Sequence, residues 1–140
     1  MRGPLICDTG ALLAAFAPDQ RGHPECAAVL ADSQQRLVPP LVLAEIDDLA
    51  RRHLGAAAAV RIAQELTGPS YRVMALTPET MAIATQVMSA TGLGLVDASL
   101  VAHAREMKTL DLFTLDRGHF RMVRALNGLP FRLLPFDLDL

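Results

Sequence analysis

The fold is decided by a short apolar run that ends at an acid, Leu5-Ile6-Cys7-Asp8-Thr9-Gly10. Three consecutive apolar residues predict a buried strand that stops at Asp8. The chain continues with mostly apolar residues from Ala11 to Phe16, which predict a helix that ends before Pro18. A buried strand followed at once by a helix is typical of α/β proteins.

The same order of strands and helices repeats along the rest of the chain. Further strands are predicted at Leu37–Val38, Tyr71–Leu76, Asp111–Leu115 and Phe131–Leu134. Helices are predicted at Pro24–Ala31, Leu41–His53, Ala56–Leu66, Thr77 to about Ala90 and Val96–Met107, with a short helical or irregular piece at Gly118–Ala125. This alternation favours an α/β fold with a mostly parallel central sheet and helices on its faces.

Length and composition restrict the class of protein. A chain of 140 residues predicts a single domain, residues 1–140, and a hydrophobic content of 51% excludes a disordered chain. Because the sequence has no secretory leader and no long apolar run, we expect a soluble, cytoplasmic protein without a membrane segment. Cys7 and Cys26 are too few for a disulfide framework, and we expect both to be buried as small apolar residues.

Two acids are expected at one edge of the predicted sheet. Asp8 directly follows the first strand, and Asp116 directly follows the strand that ends at Leu115. In an open parallel sheet, functional groups collect outside the carboxyl ends of the strands. Either acid alone could be an ordinary turn or helix-capping residue, but two of them at neighbouring strand ends favour a shared site.

Two more acids interrupt apolar stretches. Glu45 lies within Leu41–Ile46, where burial of an acid is costly unless it is paired or binds a metal. The alternative is an amphipathic helix whose polar stripe begins at Glu45 and continues through Asp48 and Arg52. Asp97 falls in the first turn of a predicted helix, where the helix dipole stabilises a carboxylate, as it would for a simple capping acid.

Four carboxylates without a convincing His or Cys partner favour a hard, oxygen-binding cation. Mg²⁺ fits this set, Mn²⁺ can substitute for it, and zinc does not fit. Such an ion commonly takes one or two carboxylates together with phosphate oxygens, which is the arrangement used to hydrolyse phosphodiester bonds. The spacing of positions 8, 45, 97 and 116 allows the acids to converge but does not prove that they do.

Four motifs, taken together and in this order, resemble the PIN domain, and in particular the VapC-type toxins of bacterial type II toxin–antitoxin pairs. The resemblance runs from Asp8 to Phe136. The motifs are Asp8-Thr9-Gly10-Ala11-Leu12-Leu13, Val42-Leu43-Ala44-Glu45, Gly94-Leu95-Val96-Asp97-Ala98-Ser99-Leu100-Val101-Ala102 and Thr114-Leu115-Asp116-Arg117-Gly118-His119-Phe120. The resemblance implies a PIN-like three-layer fold and a Mg²⁺-dependent endoribonuclease. It also implies a homodimer and a cognate antitoxin protein.

The resemblance also assigns roles within the site. The family's acidic quartet corresponds to Asp8, Glu45, Asp97 and Asp116. Asp8 and Asp97 would be the most direct metal ligands, and Glu45 would hold or activate a water or support a second metal. Thr114 matches a family hydroxyl that bonds within the acidic cluster, and Thr9 stands where the family often has Ser or Thr.

Several basic residues could contact an RNA substrate. Arg117, Arg121 and Arg124 follow Asp116 closely and could bind phosphates, although they could equally form a solvated basic face. The formal net charge of −2 does not oppose RNA binding, because four of the 15 acids belong to the predicted metal site. The alternatives are a PIN-like protein-binding module and a PIN nuclease that processes RNA without an antitoxin.

Overall fold

A computed structural model describes residues 3–138, so the two residues at each end of the predicted domain lie outside it. Its centre is a five-stranded sheet in the order β3-β2-β1-β4-β5, with every strand pair parallel. The strands are β1 (Leu5–Cys7), β2 (Arg36–Val38), β3 (Arg72–Val73), β4 (Asp111–Phe113) and β5 (Arg132–Leu134). Ile6 of β1 is in register with Leu37 on one side and Leu112 on the other. The predicted α/β class and parallel sheet are confirmed.

Seven helices flank the sheet in the described part of the chain. They are α1 (Thr9–Phe16), α2 (His23–Ala31), α3 (Pro40–Leu54), α4 (Ala56–Leu66), α5 (Pro78–Thr91), α6 (Leu95–Met107) and α7 (Arg117–Phe120). The Thr77 side chain accepts a hydrogen bond from the Thr80 backbone amide and so caps the start of α5. Gly92 follows the last residue of this helix and adopts the left-handed conformation. No helix within residues 3–138 is both long and apolar enough to cross a bilayer.

The core lies on both sides of β1 and β4. All residues of these two strands are buried, as expected for inner strands of a parallel sheet covered on both faces. Cys7 and Cys26 are free thiols with no exposed surface, which confirms their predicted burial. Burial raises the pKa of the Cys26 thiol to about 11, so it stays protonated.

Several predicted boundaries differ from the structure, and in three cases the element was predicted at least two residues too long. The strand expected over Tyr71–Leu76 is reduced to β3, an exposed edge strand that pairs only with the three-residue β2. The strand expected to reach Leu115 ends at Phe113, because Thr114 and Leu115 belong to the turn that leads to α7. The helical part of Gly118–Ala125 ends at Phe120. Each shift is local, and the carboxyl ends of β1 and β4 still lie side by side.

Candidate active site

Asp8 is anchored at the carboxyl end of β1. Its backbone amide donates to the Phe113 carbonyl of β4 at 2.8 Å. One carboxylate oxygen accepts from the Thr9 amide at 2.8 Å and caps α1, and the other accepts from the Thr114 hydroxyl at 2.7 Å. Only 8% of Asp8 is exposed. Asp8 is therefore fixed by the first residue of α1 and by the end of β4 before any ligand binds.

The electrostatic environment of Asp8 shows that the acids converge. Burial raises its pKa to about 6, and the hydrogen bonds from Thr114 and Thr9 oppose this rise. The negative charges of Asp97 and Glu45 raise the pKa of Asp8 further. The side chains of Asp8, Glu45 and Asp97, which come from the end of β1, from α3 and from α6, are thus close enough to repel one another.

Asp97 projects from the first turn of α6 and is partly buried. Burial raises the pKa of its carboxyl, a hydrogen bond from His119 lowers it, and the charges of Asp116 and Glu45 raise it. The helix packs against β1, β4 and α3, which brings its amino end to the same edge of the sheet as Asp8. Asp97 is therefore close enough to Asp8 and to Asp116 for the charges to interact.

Asp116 is tied to both Thr114 and His119. Its backbone amide donates to the Thr114 hydroxyl at 3.0 Å, and its carboxylate accepts from the His119 amide at 3.0 Å, which caps α7. The His119 Nδ1 atom lies 2.7 Å from an Asp116 oxygen and 2.8 Å from an Asp97 oxygen. These two carboxylates raise the pKa of the His119 imidazole. The Thr114 hydroxyl thus connects Asp8 with Asp116.

Glu45 lies on the exposed face of α3, so the expectation that this acid is buried is wrong. The buried positions of this helix are Val42, Ile46 and Ala50, and Glu45 falls outside that stripe. The alternative interpretation describes the helix correctly, since Asp48 and Arg52 also lie on its exposed face and form a 2.8 Å ion pair. Glu45 nevertheless lies close enough to Asp8 and Asp97 for its charge to raise the pKa of both carboxyls.

All four predicted acids line one open cleft of about 810 Å³. Thr9, Leu115 and Arg117 complete much of its wall. Thr9 is 2% exposed, and its hydroxyl oxygen has no hydrogen-bond partner among residues 3–138. A buried hydroxyl without a partner, beside four carboxylates, fits a site whose remaining partner is a ligand.

The other two buried acids among the described residues, Asp111 and Asp137, differ from Asp8 because each is paired with an arginine. Asp111 receives two hydrogen bonds from Arg132 at 2.6 and 2.7 Å, and Asp137 receives two from Arg121 at 2.7 Å. Within residues 3–138, no Arg or Lys forms an ion pair with any of the four cleft acids. Uncompensated carboxylates in a partly buried cleft are costly unless a cation binds them. The donor set therefore fits a divalent ion that prefers oxygen ligands.

His119 is the member of the cluster that sequence reasoning did not include. The interpretation above found no convincing His partner for the acids, and in the structure that premise is wrong. Asp97, Asp116 and His119 each offer one ligand atom, and these atoms lie within 4.8 Å of one another. A signal was present, because Asp116 and His119 are three residues apart and such residues are neighbours on a helical turn.

Comparison with known proteins identifies the family of this chain. The PIN domain family matches residues 5–125. The chain belongs to the PIN-domain family. Ribonuclease VapC26 from Mycobacterium tuberculosis is 31% identical to this PIN domain in an alignment 137 residues long, which covers 94% of this chain and 100% of that protein.

Solved structures of VapC proteins share the fold of this PIN domain. Mycobacterium tuberculosis VapC20, described as a sarcin-ricin loop cleaving toxin, matches with a TM-score of 0.76 at 20% identity, covering 82% of this chain and 92% of that chain. A VapBC2 structure from Rickettsia felis, bound to a DNA fragment from its promoter, matches with a TM-score of 0.65 at 14% identity, covering 92% and 97%. These likenesses confirm the predicted PIN-like fold.

The three arginines predicted to contact RNA differ in their surroundings in this PIN domain. Arg117 lines the cleft, and its guanidinium lies 4.3 Å from the centre of the Phe136 ring. Arg121 is held by Asp137. Arg124 is exposed, and its carbonyl accepts hydrogen bonds from Arg105. Arg117 is therefore the nearest of the three to the acids.

Proposed function

We propose that this PIN domain is a metal-dependent endoribonuclease and the toxin of a type II toxin–antitoxin pair. The observation that carries the proposal is the convergence of Asp8, Glu45, Asp97 and Asp116 on one cleft without an Arg or Lys partner among the described residues. Such a cluster is suited to hold a cation against the phosphate of a nucleic acid. The similarity to a named ribonuclease over nearly the whole chain supports RNA as the substrate.

The geometry supports distinct roles for the residues of the cleft. Asp8 and Asp97 would be the direct ligands of Mg²⁺, for which Mn²⁺ can substitute, and Asp116 would add a further oxygen. When bound, the ion would neutralise phosphate charge and activate the attacking water. The exposed carboxylate of Glu45 is free to orient that water or to accept its proton. Thr114 holds Asp8 and Asp116 in place through one hydroxyl.

Positive charge beside the acids would position the RNA backbone. Arg117 is the first candidate because it lines the cleft, and Arg124 is exposed on the segment that follows α7. Arg121 could add long-range attraction, although its two hydrogen bonds to Asp137 direct it away from a phosphate. Phosphate contacts fix the register of RNA without reading its sequence.

Two protein partners belong to the same proposal. A cognate antitoxin would block the cleft, and a second copy of the chain would form a homodimer with the acidic sites on a shared groove. Co-expression with the product of an adjacent short reading frame, followed by size-exclusion chromatography with light scattering, tests both. A monomer that binds no such product but still cleaves RNA would instead indicate an RNA-processing nuclease.

The nuclease activity has a direct test with a matched control. The purified protein should cleave RNA with Mg²⁺ or Mn²⁺ and stop when EDTA is added. Asp97→Asn should lower the rate at least about 100-fold, since it removes a charge needed in the transition state. Asp48→Asn makes the same chemical change on the exposed face of α3 and should leave the rate unchanged. Equal rates for the wild type and Asp97→Asn would contradict the assignment of the site, and a non-catalytic binding module would then be favoured.

A further inference from the structure

We propose that the His119 imidazole is a direct ligand of the ion in this cleft, and that its nitrogen shifts the preference of the site from Mg²⁺ toward Mn²⁺. With Asp97 and Asp116 it would form a set of two carboxylates and one imidazole. The inference rests on the proposed metal-dependent function. It adds a ligand that the acidic quartet alone does not contain.

The spacing of the three side chains supports this set. His119 Nδ1 lies 2.8 Å from an Asp97 oxygen and 2.7 Å from an Asp116 oxygen. Neighbouring ligand atoms of an octahedral ion lie about 3 Å apart, since bonds of about 2.1 Å meet at right angles. The imidazole nitrogen is thus already separated from each of the two oxygens about as adjacent ligands would be. Only small movements of the side chains are needed to admit an ion on one side of them.

The backbone also holds His119 in position. The Asp116 carboxylate accepts a hydrogen bond from the His119 amide at 3.0 Å, so one ligand orients the next along the chain. The imidazole itself is 56% exposed, which leaves it free to rotate and present the Nδ1 lone pair. The buried and unpartnered Thr9 hydroxyl in the same cleft is an independent sign that a ligand completes this site.

A nitrogen ligand changes which ion the cleft prefers. Mg²⁺ favours oxygen ligands and loses its waters reluctantly, whereas imidazole suits first-row transition ions. Four carboxylates alone would favour Mg²⁺. With His119 included, Mn²⁺ should bind more tightly than Mg²⁺, and removal of the imidazole should reduce this difference.

The competing interpretation is that His119 is only a counter-ion of the acids. In the metal-free protein the Nδ1–H group of the imidazole would then donate its hydrogen bond to the two carboxylates, and the ring would move away when an ion binds. The two interpretations predict different surroundings for the bound ion. Only direct ligation places a histidine nitrogen on it.

Pulsed electron paramagnetic resonance of Mn²⁺ bound to the full chain detects a directly ligated nitrogen. We expect nitrogen modulation in the wild type and its loss in His119→Ala. Isothermal titration should show Mn²⁺ affinity falling about 10- to 100-fold in His119→Ala, with Mg²⁺ affinity changing less than about threefold. The matched control is His53→Ala, because His53 is exposed eight residues beyond Glu45 on α3, about 12 Å along the helix axis.

The outcomes separate this inference from the proposed function. If Mn²⁺ binds and Asp97→Asn weakens it, but the wild type shows no nitrogen modulation, His119 is not a ligand and the nuclease proposal stands. If the wild type binds neither Mn²⁺ nor Mg²⁺, both proposals are overturned. Modulation that persists in His119→Ala would also overturn the assignment, because the nitrogen would then come from another residue.

Discussion

Replacing Asp8 by Asn should stabilise the metal-free protein while it removes the activity. Asp8 is almost fully buried, and both its burial and the nearby charges of Asp97 and Glu45 disfavour its ionised form. An amide of the same shape carries no charge, so it avoids both penalties. Sites of this kind commonly reduce stability for the sake of function.

The magnitude follows from the pKa of Asp8, which is about 6 in the folded protein against an ordinary value of 3.8. A difference of about two pKa units corresponds to about 3 kcal/mol at pH 7. The Asn side chain can still accept from the Thr9 amide, but its nitrogen must donate to the Thr114 hydroxyl, which reverses that hydrogen bond. Because this reversal costs about 1 kcal/mol, we expect a net gain of about 1–3 kcal/mol.

The pH dependence gives the sharper test. The folded pKa of Asp8 is raised, so the folded protein binds a proton more readily than the unfolded chain between pH 4 and 6. The contribution of Asp8 to the free energy of unfolding is fully present below pH 4 and is lost as the pH rises through 6. Asp8→Asn does not titrate, and its advantage over the wild type should therefore be absent near pH 4 and complete near pH 7.

Urea unfolding in EDTA at several values between pH 4.5 and 7.5 measures this difference directly. Asp48→Asn serves as the control, since its exposed position predicts no pH-dependent difference. Addition of Mn²⁺ should stabilise the wild type more than Asp8→Asn, because the ion binds the folded state of the former. A variant that is less stable than the wild type at pH 7, or a difference that does not vary with pH, would refute the reasoning.

Three further changes test the surrounding structure. Asp137→Asn removes the ion pair with Arg121 and should cost about 2 kcal/mol in urea unfolding at pH 7. Because the folded pKa of Asp137 is lowered, the wild type should lose this advantage as the pH falls below about 4. Thr114→Val removes one of the two hydrogen bonds to the Asp8 carboxylate and should lower the RNA cleavage rate about 10-fold, with about 2 kcal/mol lost in unfolding. The pKa of the buried His103 is lowered, so its contribution to stability should fall by up to about 1.4 kcal/mol per pH unit below pH 6.5. The stability of His103→Leu relative to the wild type should therefore be higher at pH 5 than at pH 7.5 in unfolding measurements.

Sequence reasoning found the parts of the fold that depend on local pattern. The apolar run ending at Asp8 and the run before Asp116 predicted the two inner strands, because continuous apolar segments are typical of a sheet covered on both faces. The position of Asp8 and Asp116 at one edge of the sheet then followed from the polarity of parallel strands, whereas the approach of Glu45 and Asp97 depends on the packing of α3 and α6. Strand ends were less well predicted, since the length of β3 depends on the short neighbour with which it pairs.

The errors within the site have a different physical origin. Glu45 was expected to be buried because its neighbours in sequence are apolar, but a helix separates adjacent residues by about 100° and only Val42 and Ile46 reach the core. His119 was set aside because no histidine stood out from the sequence as a convincing partner of the four acids, and a metal held by carboxylates does not require one. Its contact with Asp97 joins segments 22 residues apart, and no local pattern encodes it.

Asp111 and Asp116 show how the position of an acid relative to its strand decides what it does. Asp111 begins β4, where the register sets it opposite Arg132 of β5, and the guanidinium binds both of its oxygens. Asp116 follows the same strand at the opposite edge, where it meets Asp97 and His119 instead. A count of 15 acids cannot separate these roles. Strand polarity separates them, because an acid at the amino edge lies beside a fixed positive charge, whereas an acid at the carboxyl edge of this sheet depends on a charge supplied from outside the chain.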